Sequence, residues 1–155
     1  MISPETLRRY PFFGALDFNQ IKEIAIISDT VTVEKGKQIF EECGPADALY
    51  LVTEGLVDLY YRSADDEGKN PPKELVAGEV SPGEFLGFSS LIEPYLLNAT
   101  ARASQNTRLI KIDAPALRAL CENDPLMGYR VMTQIAKEAI ARLIDVRVQL
   151  AAAWS

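Results

Sequence analysis

The stretch GEVSPGEFLGFSSLIEPYLLNATARA, residues 78–103, joins two strand-forming segments through a run punctuated by glycine. Glycine tolerates positive φ and lets a backbone pass close to another surface, so Gly83 and Gly87 suit tight turns around a barrel. After Gly87, the residues Phe88-Ser89-Ser90-Leu91-Ile92 are expected to begin a short helix. Its free N–H groups would face the barrel mouth and attract an anion without a charged side chain. Strand alternation resumes at 99–103, where Ala99, Ala101 and Ala103 share a face small enough to wall a cavity and Arg102 is turned outward.

Working outward, residues 30–112 read as short strands cut by turn residues, the pattern of an all-β barrel or sandwich. Val31 and Val33 alternate with Thr32 and Glu34, Lys35-Gly36 turns into Gln38-Ile39-Phe40, and Cys43-Gly44-Pro45 makes the next turn. Strands at 48–52 and 56–61 are expected to meet in a hairpin-like reversal at Glu54-Gly55. Residues 63–73, with Asp65-Asp66-Glu67, read as a solvated loop, and further strands fall at 75–80 and 108–112.

Helices flank this region. Asp17 is placed as an N-cap with Gln20 at the capping-box position, ahead of Ile21, Ile24, Ala25 and Ile27. A short helix at 115–122 precedes Asp124-Pro125, which caps a long helix reaching about residue 153. That helix carries two apolar stripes. Met132, Ala136, Ala139, Leu143, Val146 and Leu150 follow the alternating four-three spacing of a coiled-coil seam, which points to a homodimer interface. Val131, Ile135, Ile140, Ile144 and Val148 form the second stripe, suited to packing on the barrel.

Composition narrows the function. With 155 residues, of which 48% are hydrophobic, the chain is expected to form one domain over 1–155: helices at 1–28, a β-roll at 29–113 and helices at 114–155. A formal net charge of −6 argues against direct nucleic-acid binding. The absence of histidine removes the commonest general base and metal ligand together, so metal-dependent cupin chemistry is not expected and no metal site is assigned. Cys43 and Cys121 have neither disulfide-framework nor cluster spacing and are expected to be buried small hydrophobes. With no signal-peptide pattern and no apolar run long enough for a membrane span, a cytoplasmic location is expected.

Val33-x-Lys35-Gly36-x-x-Ile39-Phe40, then Ala46-Asp47-x-Leu49-Tyr50-x-Val52-x-x-Gly55-x-Val57, then Pro82-Gly83-Glu84-Phe85-Leu86-Gly87 and Asn98-Ala99-Thr100-Ala101-Arg102-Ala103 together resemble the cyclic nucleotide-binding domain family. Its members include the sensor halves of catabolite-activator and fumarate-nitrate-regulator transcription factors. The likeness runs from about Leu7 to Leu150. It implies a mainly β fold with flanking helices: a double-stranded β-helix, or jelly-roll-like β-roll, with N-terminal helices and a long C-terminal helix. It also implies a non-enzymatic regulatory or sensor role. The family's DNA-reading helix-turn-helix would follow the long helix, where this chain ends, so direct DNA contact is not expected.

By the same resemblance, residues 78–103 correspond to the phosphate-binding cassette, with candidate ligand-binding residues Gly87, Phe88, Ser89, Ser90, Leu97, Asn98, Ala99 and Thr100. In nucleotide-binding members, a glutamate after the second glycine accepts the ribose hydroxyl and an arginine some ten residues on pairs with the cyclic phosphate. Here Phe88 occupies the first position. Leu97 or Asn98 occupies the second, according to whether the loop Glu93-Pro94-Tyr95-Leu96 is a residue shorter. Cyclic AMP and cyclic GMP are therefore disfavoured. A pocket compensated by Ser89, Ser90 or Thr100, and a ligand-free module that pairs with itself or another protein, are the alternatives. The chain lacks the ligands that haem or an iron-sulfur cluster would need.

Overall fold

A computed structural model describes residues 1–63 and 73–155; the expected loop at 63–73, with Asp65-Asp66-Glu67, falls largely outside the described residues. The chain begins with α1 (Pro4–Arg8) and α2 (Phe18–Ile26). Eight strands follow: β1 (Ser28–Val33), β2 (Gln38–Phe40), β3 (Ala48–Glu54), β4 (Val57–Arg62), β5 (Glu74–Val80), β6 (Phe85–Leu86), β7 (Thr100–Ala103) and β8 (Thr107–Asp113). Two helices end the chain, α3 (Ala114–Asn123) and α4 (Pro125–Trp154).

The strands form two antiparallel four-stranded sheets, ordered β1-β8-β3-β6 and β2-β7-β4-β5. Among the strands described, only β4 and β5 are both consecutive and paired; every other connection passes from one sheet to the other. This is a β-roll flanked by helices. Period-two alternation explains the layering. In the first sheet, Leu49, Leu51, Phe85, Ile110 and Ile112 face the helices and pack with Leu7, Phe13, Ile24, Leu117, Met127 and Val131. On the opposite face Val52, Leu86 and Leu109 meet Val57, Leu59, Val80 and Ala101 of the second sheet. Phe85 and Leu86 are adjacent yet serve different cores.

Side chains close the helix starts as the sequence indicates. The Gln20 N–H donates to Asp17 Oδ1 at 2.9 Å, and the Asp17 N–H donates to Gln20 Oε1 at 3.0 Å. The Gln20 amide also donates to Asp124 Oδ2 at 2.9 Å, while Asp124 Oδ1 caps α4 by accepting from the Met127 N–H at 3.1 Å.

Two expectations are corrected. Glu54-Gly55 is not a hairpin: β3 is bonded along its two edges by β8 and β6, leaving no edge for β4, which joins the other sheet. Gly55 makes the crossing at φ +96°, so close to the neighbouring β7–β8 turn that a Cβ would stand 2.5 Å from Thr107 Oγ1 and 2.6 Å from the Asn106 carbonyl. Cys43 is exposed rather than buried, because it occupies the left-handed position of a surface turn at φ +69°; Cys121 is half-buried.

Gly55→Ala should therefore lose about 2–4 kcal/mol in chemical denaturation, combining left-handed strain with overpacking. Gly36→Ala, at φ +87° but with open space around it, should lose only about 1–2 kcal/mol. Equal losses at the two positions would refute the crowding at Gly55.

Candidate functional site

Gly87 adopts the left-handed conformation, φ 84° and ψ 32°, where the chain leaves β6. A Cβ there would lie 2.8 Å from the Ala48 carbonyl, so the turn is seated directly on β3. The expected short helix is a single 3₁₀ turn, Phe88–Leu91, and its Ser90 N–H is already spent on the Gly87 carbonyl at 3.0 Å. So short a turn has little aligned dipole with which to hold an anion.

Beside this turn is a cavity of about 360 Å³. Its walls come from β2 (Phe40), β4 (Leu59), β6 (Leu86), the turn (Gly87, Phe88, Ser89), the segment before β7 (Leu97, Asn98, Ala99) and α4 (Ala139, Arg142, Leu143, Val146). The structure thus brings together Gly87, Phe88, Ser89, Leu97, Asn98 and Ala99. Ser90 and Thr100 are outside the lining. Ser90 is fully buried, with its carbonyl accepting from Arg118, and Thr100 Oγ1 accepts from the Glu42 N–H at 3.0 Å in a different cavity. Arg102 faces outward, forms a two-pronged ion pair with Glu74 and stands 4.9 Å from the Tyr60 ring.

The cation at this site is on α4. Arg142 is half-buried, with its guanidinium carbon 4.8 Å from the Phe88 ring centroid and an N–H donated to the Phe85 carbonyl. Burial lowers its pKa, while Glu84, Glu138 and Asp145 oppose that change; a guanidinium remains charged at neutral pH regardless. Among the described residues no carboxylate lies within 4.0 Å of its nitrogens. Behind it is a second cavity of about 340 Å³, lined in part by Glu79, Glu84 and Asp145. Sequence reasoning missed Arg142 because it sought charge on the cassette strand and read α4 only for apolar spacing. The usable signal was its position three residues after Ala139 and four before Val146, which puts it on the same side of the helix as both.

The far side of the turn is tied to α3. Arg118 donates to the Ser90 carbonyl and lies 3.8 Å over the Tyr95 ring. Tyr95 in turn accepts from the Ala46 N–H at 2.8 Å.

Comparison with known proteins gives a consistent picture. The cyclic nucleotide-binding domain model matches residues 30–124. A crystal structure from Geobacter metallireducens, described as a cyclic nucleotide-binding protein, superposes with a TM-score of 0.81 at 39% identity, covering 92% of this chain and 99% of that one. A protein of Rhodopseudomonas palustris described as a potassium channel is 26% identical over 140 residues, 90% of this chain and 32% of its own length. The CRP-like cAMP-activated global transcriptional regulator of Mycobacterium tuberculosis is 23% identical over 133 residues, 86% of this chain and 57% of that protein. The chain thus spans about a third and somewhat over half of these two relatives.

Arg118→Met keeps most of the packing but removes the charged donor and the cation over Tyr95. It should cost about 2 kcal/mol and speed hydrogen exchange at the Ala46 amide while β8 keeps its protection. Unchanged exchange at Ala46 would refute the role of Arg118 in fixing the turn.

Proposed function

The chain belongs to the cyclic nucleotide-binding domain family, and from that premise we propose that it is a non-enzymatic regulatory domain spanning 1–155. In this reading it senses occupancy of the cavity beneath α4 and holds cyclic AMP and cyclic GMP only weakly. One observation supports this: Gly87 is left-handed and leads into a tight turn at the cavity, while Phe88, Leu97 and Asn98 supply no charge at its wall.

Each absent partner corresponds to a charged hydrogen bond of about 1.5–3 kcal/mol. Losing both weakens a micromolar site by about a hundredfold to ten-thousandfold. Arg142 supports the competing reading of a compensated nucleotide pocket, since it brings a guanidinium to the same wall. Isothermal titration separates the two. The expected dissociation constants for cyclic AMP and cyclic GMP are about 0.1–10 mM, and low-micromolar binding of either would overturn the weak-nucleotide reading.

We further propose a homodimer through α4. Leu143, Val146 and Leu150 are 50%, 40% and 56% exposed, and Met132 is 36% exposed, at the spacing of a helix–helix seam. Ala136 and Ala139 complete that seam, while Ala139, Leu143 and Val146 also border the cavity. Of the second stripe, Val131 and Ile135 are buried, but Ile140, Ile144 and Val148 are exposed. The same face would serve a ligand-free pairing module or another protein. We place the domain in the cytoplasm, without direct nucleic-acid contact; no helix among the described residues is long and apolar enough to cross a membrane. Sedimentation at about 100 µM should give a dimer and, for Val146→Glu with Leu150→Glu, a monomer, since charge is costly at a desolvated seam. A wild-type monomer at that concentration would overturn the dimer.

A further inference from the structure

Arg142 is the charged residue in the lining of an otherwise mostly apolar cavity. Its guanidinium has one N–H committed to the Phe85 carbonyl, one face on Phe88 and no carboxylate partner within 4.0 Å among the described residues. A guanidinium carries five N–H donors, and its fork geometry matches a carboxylate. The cavity volume falls at the lower end of the roughly 300–1,000 Å³ range of small-molecule sites.

We propose that this cavity takes a small organic monocarboxylate with an apolar body, its head bound by Arg142 of α4 and its body against Phe40, Leu59, Leu86 and Phe88. A monoanion is favoured over a dianion because Glu84 and Asp145, which line the second cavity with Arg142, already offset part of its charge. A polar, hydroxyl-rich body is disfavoured, because the wall provides Ser89 and Asn98 as its uncharged polar side chains. The inference rests on the reading of the cavity as a ligand site and names what the site recognises. It places the recognition group on the helix rather than on the cassette strand, so a ligand would join α4 to the roll directly.

The test is a titration of the isotopically labelled full chain with octanoate and with its uncharged counterpart octanamide, followed by backbone amide NMR. Octanoate should shift Gly87, Ser89, Asn98 and Ala99 and bind at least about tenfold more tightly than octanamide, the effect of one charged hydrogen bond. Arg142→Gln should abolish that preference and Arg142→Lys retain part of it, because lysine keeps the charge but not the fork. Ala139→Leu, which fills the cavity from an exposed helix position, should weaken both ligands alike. Equal affinities in the wild type, a preference that survives Arg142→Gln, or shifts confined to the outer face of α4 would overturn the proposal. Equal binding at the cassette amides would leave the sensor reading standing, whereas failure of both ligands to shift those amides would count against the ligand site itself.

Discussion

The position of α4 depends on one hydrogen-bonded junction. The Gln20 side chain closes the start of α2 with its oxygen and reaches Asp124, the cap of α4, with its nitrogen. The amide and the Met127 N–H both favour the ionised carboxylate and hold the Asp124 pKa below its ordinary value. Gln20 and Asp124, 104 residues apart, thereby tie the two helix starts together through a single amide. From that point Met127, Val131 and Ile135 hold the first turns of α4 in the core shared with α3, the N-terminal helices and the first sheet. Beyond Ile135 the contacts of α4 with the roll centre on Arg142, so the place where the helix reaches the cavity is also where its attachment becomes sparse.

The site consequently has two owners. Gly87 anchors the turn to β3, and Arg118 ties its far side to α3, so the cassette is a fixed wall. The opposite wall is a helix held firmly at one end. A ligand that contacts only the roll could leave α4 where it is, whereas one that contacts both must stabilise one of their relative positions. A shift of that equilibrium is limited to the ligand's difference in affinity between positions. Charge on the helix wall therefore bears on regulation differently from charge on the strand wall.

What the sequence disclosed follows the range of the interactions. The Asp17–Gln20 box and the Asp124 cap involve neighbours in the chain, and both were legible from residue type and spacing alone. Alternating apolar residues located seven of the eight described strands to within a few residues, since burial on a sheet face has period two, whereas β6, two residues long, shows no such alternation and was missed. Pairing was less legible. Glu54-Gly55 has the look of a reversal, and only the occupation of both β3 edges by distant strands makes it a crossing. Cys43 was misread for a similar reason: thiols usually bury, but a surface turn here needed a residue at positive φ. The cassette backbone could be placed from glycines, whereas Arg142 could not be assigned to the cavity without knowing how α4 crosses it. Ser90 and Thr100, adjacent in sequence to lining residues, turn away: Ser90 is buried beneath the turn, and Thr100, in β7, is directed to the Glu42 N–H.

The unequal attachment of α4 makes it mechanically a lever. If Ile135 is the pivot, Arg142 is about 10 Å along the arm and Trp154 about 28 Å, at 1.5 Å per residue. Rotating the arm enough to move Arg142 by about 1 Å would carry Trp154 through about 3 Å. An adjustment beside Phe88 would thus be magnified about threefold at the far tip, where the 85%-exposed Trp154 ring is placed.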